Sequence, residues 1–114
     1  MDAAIARDIG TLDTAVAERE RVLRTIRAHQ AVLRALGVSR LWLFGSLARG
    51  DAGRRSDVDV VIAIPPGRKF SLFDLGEVRV ELCELLGRKV DVVIEEDLEP
   101  GFRSDILVDL VQVF

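Results

Sequence analysis

Three short apolar runs between Val38 and the C-terminus are each cut off by turn residues, and this punctuation constrains the fold more than any other feature. Leu41-Trp42-Leu43-Phe44 stops at Gly45, Asp57 to Ile64 stops at Pro65-Pro66-Gly67, and Val90 to Glu95 follows Gly87. Runs this short, bounded by Gly and Pro, read as buried strands. The stretches between them have a helical period. Ser46 opens a brief turn, Leu47-Ala48-Arg49, closed by Gly50. Ser71 to Leu86 spaces Leu72, Leu75, Val78, Leu82 and Leu85 along one face and ends at Gly87. A last helix starts at Asp97 or Pro100 and runs to about Leu110. The order β-α-β-α-β-α predicts an α/β (α+β) domain, a mixed sheet packed by helices.

The segment before these runs has no proline and only Gly10 as a breaker. Ile5, Ile9, Leu12, Val16, Leu23, Ile26 and Leu33 follow helical steps, interrupted at Arg19 and Gln30. One helix is expected from about Leu12 to Leu36, capped by Gly37, with Met1 to Gly10 either joined to it or loose. The chain thus divides into an N-terminal helical segment, 1–37, and a core, 38–114, within one domain. The helix either covers the core or offers an apolar stripe around Ile9, Leu12, Val16 and Leu23 to a partner.

Composition removes several classes of function. With 49% apolar and 31% charged residues, the 114-residue chain has enough apolar surface for a core. It contains no eighteen-residue apolar run and no basic-flanked leader, so the expectation is a small cytoplasmic domain. The single cysteine, Cys83, excludes a disulfide framework and a multi-cysteine zinc site, and the single histidine, His29, excludes a His-rich metal site. Cys83 is expected to be a buried thiol, His29 a surface or interface residue, and Trp42 and Phe44 core residues. A net charge of −3 argues against a general nucleic-acid binder.

The residues that remain unexplained are polar. Asp57 and Asp59 lie two apart at the head of an apolar strand, so both carboxylates share one face. Like charges about 4 Å apart repel by roughly 4 kcal/mol at an effective dielectric of 20. Solvent or a cation must relieve that repulsion, although aspartates at strand starts also serve as turn formers. Asp91 interrupts a second apolar run, where it is either ion-paired with Lys89 or an arginine, or bound to a cation. Three oxygen donors on two strands suit Mg²⁺ or Mn²⁺. Gly45-Ser46 offers close backbone approach and a hydroxyl at a helical turn, which suits a phosphate chain or serves as an ordinary cap.

In combination these elements have a familiar spacing. Gly45-Ser46, ten residues, then Asp57-Val58-Asp59, with a later strand aspartate at Asp91, resembles the polymerase-β-like nucleotidyltransferase superfamily. The string Phe44-Gly45-Ser46-Leu47-Ala48-Arg49-Gly50 followed by Ser56-Asp57-Val58-Asp59 is similar to its minimal prokaryotic branch, whose members accompany HEPN-domain ribonuclease toxins. The resemblance spans about Val38 to the C-terminus, with no departure at the motif positions. It implies two Mg²⁺ ions (or Mn²⁺) held by Asp57, Asp59 and Asp91, with ATP phosphates held by Gly45 and Ser46. It leaves Arg49 as a phosphate or partner contact and assigns no role to Arg54 and Arg55.

The implied function is an antitoxin that transfers AMP from ATP to a tyrosine of its HEPN toxin, within a hetero-oligomer. Two alternatives stand beside it: masking of the toxin by contact alone, and transfer to a small molecule or a tRNA end. The chain's size leaves no room for a separate acceptor-recognition domain, which favours a protein acceptor.

Overall fold

A computed structural model describes residues 3–50 and 57–114, with side chains from Thr14 onward apart from Ala15. The loop containing Arg54 and Arg55, and the side chains of Ile5, Ile9 and Leu12, lie outside the described residues. The elements are α1 (Ala3–Ala28), α2 (Gln30–Ala35), β1 (Arg40–Phe44), α3 (Gly45–Arg49), β2 (Val58–Ala63), α4 (Leu72–Leu86), β3 (Val90–Ile94), a 3₁₀ turn (Glu95–Asp97), α5 (Pro100–Leu107) and β4 (Val111–Gln112). The sheet has the order β3-β2-β1-β4, with β2 and β3 parallel and the other pairs antiparallel. This is the expected mixed sheet.

Strand alternation divides the molecule into two faces. Leu41, Leu43, Val58, Val60, Ile62 and Val90 point into the main core, against Val22, Ile26 and Leu33 from the N-terminal helices and Val78, Leu82 and Leu86 from α4. The opposite face carries Trp42, Phe44, Val61 and Val93, covered by Ile106 of α5 with Leu98 and Leu110. Asp59 of β2 and Asp91 of β3 have odd numbering and therefore belong to this second, thinner face, and Asp57 immediately precedes β2.

Five expectations need correction. The single helix of residues 12–36 is two helices, because His29 leaves helical geometry (φ −108°, ψ 14°) and its N–H bonds to the carbonyl of Ile26. The break falls beside Gln30, where the apolar period lapses, and helical backbone reaches back to Ala3. Leu72 does not join the buried face of α4. It occupies the first turn and is 85% exposed, while Leu75, Val78, Leu82 and Leu86 pack inward. The last helix ends at Leu107, and β4 then pairs with β1, Trp42 opposite Gln112. Cys83 is half-buried against the main core instead of fully enclosed. Leu23 is buried as well, so it offers nothing to a partner.

The remaining cues behave as read. Ser71 and Asp74 form a reciprocal capping box on α4, and Gly87 closes that helix in the left-handed region. His29 is exposed, its Nδ1 3.0 Å from the Thr25 carbonyl. Among the described residues no helix is long and apolar enough to cross a membrane.

One ion pair ties the N-terminal helix to the core. Glu18 of α1 is 8% exposed and meets Arg88, in the turn before β3, at 2.5 Å and Arg21 at 2.7 Å. The hydrogen bond from Arg21, followed by the charges of Arg21 and Arg88, outweighs burial and holds the Glu18 carboxyl below its ordinary range. Arg88→Ala is therefore expected to destabilise the protein by about 3 kcal/mol, the low end for breaking a buried pair, because Arg21 remains. A carboxyl with a lowered value contributes its stability above its unfolded value and loses it as pH falls through the folded one. Urea unfolding at stepped pH should show the gap between parent and Arg88→Ala closing on acidification.

Candidate active site

The site grows from the seam between β1 and β2. Phe44 is the last residue of β1 and pairs with Asp59, so the chain turns into α3 directly beside that carboxylate. The turn is made by Gly45, whose φ of +77° favours glycine. Conformation is only half the reason. A Cβ at this position would sit 2.6 Å from Oδ2 of Asp59. Ser46 follows on the first turn of α3, where the helix leaves its first backbone N–H groups without intrahelical partners.

Register brings the third carboxylate alongside. Asp59 lies opposite Asp91 in the parallel β2–β3 ladder, and Asp57, just before β2, reaches the same Lys89 ammonium as Asp91. Burial, then the charges of Asp91 and Asp57, push the Asp59 carboxyl above its ordinary range, against the opposing pull of Arg49 and Lys89. Lys89 is the residue that the sequence reading undervalued. Its ammonium lies 3.6 Å from Asp57 Oδ2 and 3.9 Å from Asp91 Oδ1, a cation placed between two of the three carboxylates. The cue was available, because Lys89 and Asp91 are two apart and share a face.

Arg49 donates to Asp109 at 3.1 Å, tying α3 to the chain just after α5 and leaving the guanidinium half-exposed beside the carboxylates. Asp109 carried no sequence signal. Phe44 is covered by Phe102 of α5 in an edge-to-face contact, ring centroids 6.0 Å apart. The sheet face, α3 and α5 thus surround one acidic corner with donors on its β1 side.

The donor set fits a hard divalent cation: neighbouring carboxylates, one of them raised by burial and by the other two, with an ammonium in their midst. As they stand, no three His, Cys, Asp or Glu side chains among the described residues close on a single point. A divalent cation would compete with the Lys89 ammonium for Asp57 and Asp91.

Residues 26–113, which contain all of these groups, match the family model of the nucleotidyltransferase domain. The chain belongs to the nucleotidyltransferase family. The protein adenylyltransferase MntA of Thermococcus cleftensis is 35% identical over 98 residues, 82% of this chain and 94% of that protein. A solved minimal nucleotidyltransferase, so named provisionally, superposes with a TM-score of 0.62 at 36% identity, covering 88% of this nucleotidyltransferase and 93% of that chain. The fold is also that of a chain in the complex of the tri-AMPylated HEPN toxin of Shewanella oneidensis with MNT antitoxin. There the TM-score is 0.56 at 15% identity, over 88% of this chain and 71% of that one.

Proposed function

We propose that this nucleotidyltransferase is a cytoplasmic antitoxin that transfers AMP from ATP to a tyrosine hydroxyl of a HEPN-domain toxin and so silences it. The observation that carries the reading is the row Asp59–Asp91, with Asp57 beside it, facing Gly45-Ser46 across one strand seam. The likeness to a protein adenylyltransferase over most of both chains supports a protein as acceptor.

In this reading Gly45 lets the backbone approach the β- and γ-phosphates, and the Ser46 hydroxyl donates to them. Arg49 adds positive charge on the same side. Asp57, Asp59 and Asp91 would hold two Mg²⁺ or Mn²⁺ ions, which when bound neutralise charge on the entering and leaving oxygens. Asp91, at the far side of the carboxylate row from Gly45, orients the acceptor hydroxyl. The tyrosine oxygen forms a bond to the α-phosphorus as the bond to the β-phosphate bridge breaks in line. The hydroxyl proton passes to solvent water and pyrophosphate departs. Positioning and charge compensation do the chemical work.

Intact-mass spectrometry of a HEPN-domain toxin, produced with and without this chain, tests the reading. The expected result is a gain of one or more AMP units that depends on this chain. A toxin silenced without any gain in mass would instead establish neutralisation by contact. A toxin left active and unmodified would direct attention to a small-molecule or tRNA acceptor.

A further inference from the structure

Helix α4 turns to solvent a face that its own packing leaves over. Val78 and Leu82 are buried in the main core, while Leu72, Phe73 and Val80 are exposed, Phe73 to 87%. At helical spacing these three and Gly76 form one stripe on the outer side of α4. Glycine is a poor helix former, and Gly76 lies in the interior of this helix. Packing does not ask for it, because among the described residues a Cβ there would meet nothing beyond its own helix within 4 Å. A glycine with open space above it lets another backbone come close.

Gly76 borders two cavities. One, of about 260 Å³, has Leu72, Arg79, Asp91 and Val92 in its lining. Asp91 and Val92 are neighbours whose side chains leave opposite faces of the sheet, so this cavity follows the free edge of β3, the end strand. It joins the outer side of α4 to the acceptor end of the carboxylate row. The other, of about 530 Å³, runs over Phe73 and Val80 to Leu36 at the end of α2, and its charged lining is Glu77 and Glu81.

The two flanks of the stripe thus differ in charge. Glu77 and Glu81 are one helical turn apart, a like-charge spacing that weakens a helix, and Arg79 lies on the opposite flank. Among the described residues none of the three has an ion pair. Such a surface complements an apolar stripe with basic residues on one side and an acidic residue on the other. A second copy of α4 packed antiparallel about a two-fold axis would instead set Glu77 and Glu81 against their own copies.

We propose that the outer face of α4 is where the acceptor protein docks. A segment of the acceptor with an apolar stripe packs on Phe73 and Val80 and crosses α4 closely at Gly76. Its Lys or Arg side chains meet Glu77 and Glu81, and an Asp or Glu meets Arg79. The proposal rests on the reading of a protein acceptor above. The occupant is the acceptor because the stripe ends in the cavity that contains Asp91, at the sheet edge away from Gly45. Binding energy gathered along α4 positions the reacting hydroxyl at Asp91. Recognition moves from the N-terminal helix, where Leu23 is buried, to the helix that leads into the strand of Asp91.

The test uses the full chain and a purified HEPN-domain toxin that this chain silences, with binding followed by calorimetry and transfer by labelled AMP. Gly76→Gln should melt no lower than the parent, since the space is open and glutamine is the better helix former. It should nevertheless weaken toxin binding and raise the acceptor KM by about tenfold or more, as expected for blocking a central contact. The KM for ATP should stay within about twofold, because nucleotide binding is untouched. Glu77→Lys with Glu81→Lys should weaken toxin binding most at low salt.

Variants that bind and modify the toxin like the parent overturn the proposal and leave the transfer reading standing. Loss of binding in the variants, with a toxin that gains no AMP from the parent, sustains the docking face and overturns the transfer reading, so the two fail separately. A parent chain that sediments as a dimer, which Gly76→Gln dissociates, also overturns the proposal, because a second copy then fills the groove.

Discussion

Replacing Asp57 and Asp59 together by asparagine should abolish nucleotidyl transfer while leaving the fold intact. Loss of one charge-stabilising group typically lowers kcat by about 10²–10³-fold, and this change removes two such groups from one site. The stability result is the more discriminating one. Asp59 is pushed upward by burial and by its neighbours, so its ionised form is disfavoured in the folded state. For a carboxyl with a raised value, the penalty is absent below the unfolded value and grows as pH rises through the folded one. At neutral pH without Mg²⁺ the double variant should therefore unfold at a temperature no lower than the parent. Mild acidification should relieve the parent and not the variant, and added Mg²⁺ should stabilise the parent alone. A marked loss of stability in the variant would assign the aspartates a structural role.

Gly45→Ala is expected to be as damaging to transfer, for a different reason. The backbone at φ +77° strains any L-residue by about 1–3 kcal/mol, which a melting curve should register. The added methyl would also lie 2.6 Å from Asp59 Oδ2, so the carboxylate or the strand seam must shift. A displacement of this size at a reacting centre costs on the order of 100-fold in rate. Gly50→Ala provides the comparison. Its φ is also +77°, yet among the described residues a Cβ there meets nothing nearer than Arg19 Nη1 at 3.8 Å. It should show the strain in the melting curve and keep most of the transfer activity. Equal losses of transfer in the two variants would mean that backbone strain, and not crowding of Asp59, governs the effect.

How legible the molecule was depended on the distance over which each feature is decided. The strands at Leu41–Phe44, Val58–Ala63 and Val90–Ile94 were readable because alternation and turn residues act within a few positions. The same holds for the capping box at Ser71 and the glycine turns. The break at His29 was half visible, since the apolar period lapses at Gln30 but not in a way that distinguishes a kink from a polar helix face. The short edge strand β4 was not visible. Two residues following Leu110 look like the end of a helix, and only β1, some seventy positions earlier, makes them a strand.

The site divides along the same line. The sequence by itself determined that Asp57 and Asp59 share a face, that Gly45 and Ser46 open a turn, and that Asp91 interrupts an apolar strand, because each is a local property of one element. Only the tertiary structure decided that Asp91 stands beside Asp59, that Lys89 lies between Asp57 and Asp91, and that Gly45 presses against Asp59 Oδ2. It likewise placed Arg49 on Asp109. These are matters of register between strands and of helix placement. A shift of one residue in either ladder would keep every local signal and send the carboxylates to opposite faces.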